Sequence, residues 1–369
     1  MPDTYDVVFL SSFLGTSLDE SGQMTGGGAE AQVLMLARGL AERGLRVCIA
    51  TWEPKRGLPA SVDGVDVAAF PRLRSWSRFA AISYPVYAAR FVRALARIRA
   101  RTYVQRGVSP DTALVALTAR LRRARFVYSA GSLFDFDYGR LEPRRTLVWL
   151  FKLGYRLADV VVVQTVEQGR LSRERLGRDA TVIRSIAERR PTAPRTPEAF
   201  LWIGRIDEIK RPHAYVALAR AVPEARFWMI VAQMDDAPPA LAEIERASAE
   251  LPNIELLPQR PRSAILELIA RSAALVSTSE SEGMPNVFLE AWAQGVPTLS
   301  LSHDPDGVIK RFGLGGVAGD NPQELARMTG ELWSSRVDQE EIAAACREYV
   351  AREHDLDRVV EEWAAILAR

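Results

Sequence analysis

From residue 5 onward, short branched apolar runs alternate with longer stretches of helical periodicity. Segments 5–10, 47–51, 102–105, 125–129, 159–163 and 181–183 read as strands, and 31–43, 84–101, 112–123, 142–157 and 167–176 as helices. Gly44 follows the first helix as a natural C-cap. Strand and helix in turn imply parallel strands joined by crossover helices. A polar stretch holding Pro191, Pro194 and Pro197 then interrupts the series and reads as a linker. Beyond it a second series begins, with strands 199–203, 226–231, 254–256, 274–278 and 298–301 and helices 213–222, 238–250, 263–272, 322–334 and 342–350. The expectation is an α/β chain: a first parallel-sheet domain over 1–190, a linker over 191–198 and a second domain over 199–354. A final helix within 355–369 folds back to complete the first domain.

With 369 residues, 48% of them apolar, the chain can bury two full cores. Its two cysteines, Cys48 and Cys346, argue for reduced thiols in a cytoplasm, with no disulfide frame. His213, His303 and His354 lack ligand spacing, so no structural metal is expected. The start of the chain lacks a basic head followed by an apolar stretch, and no run approaches the roughly 18 apolar residues of a membrane span. Charge is uneven. Residues 1–200 carry 31 Lys and Arg against 19 Asp and Glu, net +12, while 201–369 carry 17 against 27, net −10. Only one half is therefore suited to an anionic partner. Residues 67–110 hold nine arginines and no carboxylate. Within helix 84–101, Arg90, Arg93, Arg97 and Arg101 share one face while Tyr87, Phe91, Leu95 and Ile98 share the other; Arg72, Arg74, Trp76, Arg78 and Phe79 precede it. The stretch from Arg72 to Arg106 could rest on an anionic membrane on the inner face of the cell, or pack on its own sheet with a solvated arginine face. Nucleic acid is not an expected partner.

Three loops carry the polar chemistry. Gly26, Gly27 and Gly28 stand between the first strand and first helix, a phosphate-friendly βαβ setting. The G-x-G-x-x-G spacing of a dinucleotide site is absent, and plain flexibility also explains the glycines. The second loop is Gly204-Arg205-Ile206-Asp207-Glu208-Ile209-Lys210-Arg211-Pro212. Gly204 permits close backbone approach to a ligand. A diphosphate held by Arg205 and Lys210 gains charge-assisted hydrogen bonds of about 1.5–3 kcal/mol each. Exposed pairs with Asp207 or Glu208 give only about 0–1 kcal/mol. The third loop places Glu282 before a helix and Glu290 within it, with Pro285 at the first helical position. The peptides of Gly283, Met284 and Asn286 offer free N–H groups to an anion, and the two carboxylates can accept from sugar hydroxyls. This describes a receptor for a sugar nucleotide; an ordinary charged surface loop is the alternative.

Together these loops resemble those of retaining nucleotide-sugar glycosyltransferases of family four, which have the GT-B fold. The matching residues are Gly27, Gly28, Ala29 and Glu30; Gly204, Arg205, Lys210 and Arg211; and an E-x7-E element from Glu282 to Glu290, running on into Ala291, Ala293, Gly295, Val296 and Pro297. The resemblance spans almost the whole chain. It implies two Rossmann-like parallel-sheet domains facing a central cleft, and transfer of a hexose-type sugar from a nucleoside diphosphate to a hydroxyl. Arg205 and Lys210 would neutralise the leaving diphosphate in place of a metal, and Glu282 would face the donor sugar. Glu290 would hold the ribose, and the backbone from Gly283 through Met284 and Pro285 to Asn286 would touch sugar and phosphate. Gly27 or Gly28 would approach the diphosphate from the first domain as the cleft closes. The implied donor is of the UDP or GDP type, with no other cofactor. Acceptors range over lipid-linked, glycan and natural-product precursors.

In one place the chain departs from that pattern. Many relatives carry a histidine after the strand that here ends Tyr128-Ser129-Ala130-Gly131-Ser132, and this chain has none. Ser129, Ser132 or a backbone carbonyl takes that role, or the donor sugar is handled differently. Asp135 and Asp137 follow as paired carboxylates suited to contact with an acceptor or a metal. Two other functions fit the same frame: a nucleotide-sugar epimerase, and a binding protein without turnover.

Overall fold

A computed structural model describes residues 4–18, 28–52, 54, 57–71, 80–188, 196–232, 239–334 and 339–368. The chain forms two compact units, one of Met1–Ile186 with Leu356–Arg369 and one of Ala187–Asp355. Gly27, the arginine-rich stretch 72–79 and the proline-rich residues 191–195 lie outside the described residues.

The first unit is built on a sheet of eight described strands: β1 (Tyr5–Leu10), β2 (Val47–Trp52), β3 (Ser61–Val62), β4 (Val65–Phe70), β5 (Ala100–Arg106), β6 (Arg125–Ser129), β7 (Val160–Val163) and β8 (Thr181–Val182). Their order across the sheet is β3-β4-β2-β1-β5-β6-β7-β8, with only β3 antiparallel to its neighbour. Burial on both faces explains the near-continuous apolar runs. In β1, Val8 and Leu10 enter one core while Val7 and Phe9 enter the other. The first core lies under helices Ala80–Arg97, Thr112–Arg122 and Arg145–Arg156, which contribute Phe91, Leu95, Val115, Phe151 and Tyr155. The second lies under helix Gly28–Glu42 and the terminal helix Leu356–Ala368. Val360 and Ile366 anchor the latter, each contributing roughly 1.5–3 kcal/mol by burial. Close packing there requires Gly39, since a Cβ at that position would stand 2.6 Å from Val360 Cγ2.

The second unit carries six described parallel strands: β9 (Ala199–Gly204), β10 (Phe227–Val231), β11 (Ile254–Leu257), β12 (Ser272–Ser277), β13 (Thr298–Ser300) and β14 (Gly315–Val317). The order is β11-β10-β9-β12-β13-β14. The order in which strands are added thus reverses between β9 and β12, and loops leaving their carboxyl ends part to either side. Open α/β sheets bind ligands at such a switch point. The first unit has its own between β1 and β5.

Several local expectations need correction. The helix expected over 84–101 is Ala80–Arg97, with Pro85 inside it rather than near its start. Arg101 sits on β5 and pairs with Asp6 at 3.7 Å, because Thr102-Tyr103-Val104 is claimed by a central strand between β1 and β6. Arg90, Arg93 and Arg97 are exposed. The β3–β4 hairpin went unread although Asp63-Gly64, both at positive φ, is a strong two-residue turn signal. Strand β14, glycine-rich and short, also went unread. Among the described residues no helix is long and apolar enough to cross a membrane.

Candidate active site

The second unit's switch point is held together by a relay of hydrogen bonds that begins in the strands. Trp202 of β9, 2% exposed, donates from Nε1 to Thr278 Oγ1 at 3.0 Å. Thr278 donates in turn to the Lys210 carbonyl at 2.6 Å. The Lys210 N–H reaches Asp207 Oδ1 at 2.8 Å, and the Glu280 N–H reaches the Ile209 carbonyl at 2.9 Å. The loop after β9 is thereby fastened to the loop after β12. Gly204 is demanded by this arrangement: a Cβ there would lie 2.8 Å from the Trp202 ring.

Lys210 Nζ stands 2.7 Å from Glu282 Oε1, each side chain about one-fifth exposed (20% and 19%). Burial pushes the Glu282 carboxyl up. The charge and hydrogen bond of Lys210, a hydrogen bond from Ser279 and the field of His303 outweigh it, so the group stays below the ordinary glutamate range. Arg205, 60% exposed, reaches Asp207 at 3.3 Å, a contact worth about 0–1 kcal/mol. It is weakly held and beside a well-held lysine. Arg211 is fixed differently. Its backbone takes φ 47°, ψ 56°, a left-handed geometry uncommon outside glycine, and Pro212 after it disfavours the right-handed helical alternative. Its Nε donates to the Thr278 carbonyl at 3.1 Å and its guanidinium pairs with Asp320.

On the other side, helix Asn286–Trp292 begins one residue later than expected, with Pro285 (φ −64°, ψ 125°) as the extended residue before it. Met284 is 3% exposed and packs with Phe288 and Leu289, which leaves only its backbone for a ligand. Asn286 Oδ1 is buried without a hydrogen-bond partner. Glu290 pairs with Arg262 Nη2 at 2.8 Å, both about one-fifth exposed (18% and 21%). His303, in the turn after β13, lies with Nε2 3.1 Å from the Gly283 carbonyl, and Ser300 Oγ donates to the His303 carbonyl at 2.6 Å.

Lys210 and Glu282 meet; Arg205, Gly204, Gly283 and Glu290 lie on the loops and helix at the same carboxyl edge. Trp202, Thr278 and His303 carried no site role in the sequence reading. For His303 a signal existed, because it lies three residues past the end of a parallel strand, at the edge where such sheets bind ligands. Among the described residues no group of three or more His, Cys, Asp or Glu is placed to hold a metal.

The acceptor-side candidates of the first unit come out differently. Asp135 is 1% exposed and accepts four hydrogen bonds: Tyr128 Oη at 2.7 Å, Gly131 N at 2.9 Å, Ser132 N at 3.1 Å and Ser132 Oγ at 3.0 Å. Asp137 turns to Arg175 at 3.3 Å. The two are not a carboxylate pair, because a local capping box consumes the first and an exposed ion pair the second. Ser132 is spent in the same box, accepting from Phe134 N at 3.2 Å. Ser129, 3% exposed, ends β6 beside Arg106. Gly28 opens the first helix and is exposed.

Models of two protein families match the chain, a glycosyl transferase 4-like domain over residues 27–187 and glycosyl transferases group 1 over 197–335. A glycosyltransferase 1 domain-containing protein 1 of Xenopus tropicalis is 28% identical over 145 residues, a match spanning 39% of this chain and 38% of that protein. A D-inositol 3-phosphate glycosyltransferase of Nocardiopsis dassonvillei is 24% identical over 90% of this chain and 88% of its own. Among solved structures, a sucrose-phosphate synthase of Thermosynechococcus elongatus superposes with a TM-score of 0.78 at 16% identity, covering 100% of this chain and 98% of that one.

Proposed function

Because this chain belongs to the group 1 glycosyl transferases and has the GT-B fold, we propose that it moves a hexose-type sugar from a nucleoside diphosphate to a hydroxyl. Configuration at the anomeric carbon is retained, and no metal is required. The observation that carries this reading is the Lys210–Glu282 pair, 2.7 Å apart where the strand order reverses. A lysine held by a carboxylate, beside a weakly held arginine, presents positive charge where a diphosphate would leave.

In this reading Arg205 leaves Asp207 for the diphosphate, and Lys210 neutralises it while staying oriented by Glu282. Glu290, aimed by Arg262, accepts from the ribose hydroxyls of a UDP or GDP type donor. The backbone from Gly283 to Asn286 meets sugar and phosphate, with His303 fixing the Gly283 carbonyl. The bond from the anomeric carbon to the diphosphate oxygen breaks. The acceptor oxygen bonds to that carbon on the same face, and its proton passes to the departing diphosphate. An acceptor presented at an anionic lipid surface is compatible with the exposed Arg90, Arg93 and Arg97.

Product analysis tests the reaction. The purified chain is incubated in a chelator with UDP- and GDP-sugars and a panel of hydroxyl acceptors. Nucleoside diphosphate and a glycoside of unchanged anomeric configuration, appearing only when acceptor is present, support it. An isomerised donor, an inverted product or bound but unchanged donor refutes it.

A further inference from the structure

Three helices lie side by side over one face of the first unit's sheet: Ala80–Arg97, Thr112–Arg122 and Arg145–Arg156, the second in contact with each of the others. Parallel crossovers set this arrangement, since each helix runs back against the strand before it and all three point the same way. Each turns one stripe inward, with Phe91 and Leu95, Leu114 and Val115, and Phe151 and Tyr155 in the core beneath. The opposite stripe of each faces solvent.

What the outward stripes carry is unusual for this chain. Not one of the three helices contains an aspartate or glutamate. Elsewhere exposed helical arginines have a carboxylate one turn away, as Arg38 has Glu42, Arg170 has Glu174 and Arg358 has Glu362. Here Arg90, Arg93, Arg97, Arg120, Lys152 and Arg156 are exposed and form no ion pair among the described residues. Four of the six large apolar side chains left exposed among the described residues sit on the same helices: Val86, Leu117, Leu121 and Trp149. Leu121 is 64% exposed and Trp149 59%. On Arg145–Arg156 the solvent stripe runs through positions 145, 149, 152 and 156, so Trp149 stands in a row with three cations.

We propose that this three-helix face docks on an anionic phospholipid bilayer, with Leu117, Leu121 and Trp149 entering the headgroup layer and the surrounding cations pairing with lipid phosphates. The apolar and the basic features select a bilayer together. Arginine and lysine stems lie along apolar surface while their heads stay at the charged layer, and tryptophan favours that depth. The cations are drawn to a negative leaflet and repelled from the same face of a second copy. A phosphodiester chain would satisfy the arginines and leave both leucines in water. The surface reaches past the arginines of Ala80–Arg97 to two further helices and an apolar wedge, and it stands whether or not the chain transfers sugar.

The test co-sediments the chain with vesicles of phosphatidylcholine alone and of phosphatidylcholine mixed with phosphatidylglycerol. Two variants separate the features, Arg145→Gln/Lys152→Gln/Arg156→Gln for charge and Leu121→Ser/Trp149→Ser for the wedge. All five side chains are exposed, and circular dichroism checks folding. Wild type is expected to bind the mixed vesicles at least about tenfold more tightly than the neutral ones, and each variant to lose at least about tenfold toward the mixed vesicles. Brominated phosphatidylcholine in the mixed vesicles should quench a fraction of the tryptophan emission that disappears in Trp149→Phe. Equal binding to both vesicles, or wild-type affinity in either variant, overturns the docking surface. So does capture of polyglutamate or RNA as tight as that of vesicles and unaffected by the wedge substitutions, which marks an acidic protein or a nucleic acid. A dimer in sedimentation velocity that the wedge variant dissolves marks a second copy and overturns it as well. Should a variant fail to fold, release of wild type from the mixed vesicles by salt and the bromolipid quenching decide in its place.

Discussion

Lys210 Nζ and Glu282 Oε1 lie 2.7 Å apart although 72 residues separate them in the chain. Each makes the other tolerable at the low exposure both share, and their energetic coupling has a definite pH signature. The folded Glu282 carboxyl lies below its ordinary value, so folding releases protons from it, and its contribution to stability is present above the unfolded value of about 4.3 and lost as pH falls through the folded one. Glu282→Gln is therefore expected to flatten the acid limb of a urea-midpoint profile. At neutral pH it should cost about 1–3 kcal/mol, since Lys210 keeps its charge and loses its partner. An unchanged acid limb would mean that the pair does not form.

Glu290 offers a sharper separation of roles. If its carboxylate accepts from ribose hydroxyls, Glu290→Ala weakens nucleoside diphosphate binding by about tenfold or more, the worth of a hydrogen bond to a charged group. The same substitution should leave the affinity for a 2′,3′-dideoxy nucleotide unchanged. Equal losses for both ligands in a titration would place the carboxylate away from the ribose and leave it only the partner of Arg262.

Away from the site, Asp111 is 7% exposed and accepts from Tyr87 Oη at 2.9 Å, while its Oδ1 has no partner. Burial pushes its carboxyl up to about 6, against the hydrogen bonds of Tyr87 and Ser109. Because the folded value is raised, the stability it permits is fully present below about 3.9 and is lost as pH rises toward 6. Asp111→Asn should gain about 1–3 kcal/mol at pH 7 over wild type. The gain should shrink on acidification and vanish near pH 4. A gain independent of pH would assign the effect to something other than this ionisation.

Much of the fold was legible because both sheets, β3 aside, are parallel and buried on both faces, so that strands such as Val160–Val163 announce themselves as branched apolar runs. Short glycine-rich β14 lacked that signature, and the helix preceding β5 was overrun by four residues because Ile98 and Arg101 kept its periodicity going. The site was legible where one loop carried its own chemistry, as with Lys210 and Glu282. It was not legible where contacts join distant parts of the chain: Trp202 reaches Thr278 over 76 residues, and Arg262 reaches Glu290 between two helices. Asp135 misled because two carboxylates two residues apart look paired, whereas capping geometry turned one inward.

The most direct measurement compares sugar transfer and nucleotide affinity in wild type and the Arg205→Ala/Lys210→Ala double variant, in chelator, with folding checked by circular dichroism. Two charge-assisted contacts made to the departing diphosphate are each worth about 1.5–3 kcal/mol, so transfer should fall by at least about a hundredfold with the fold intact. Transfer at the wild-type rate by the folded double variant would contradict the assignment of these two cations to the leaving group.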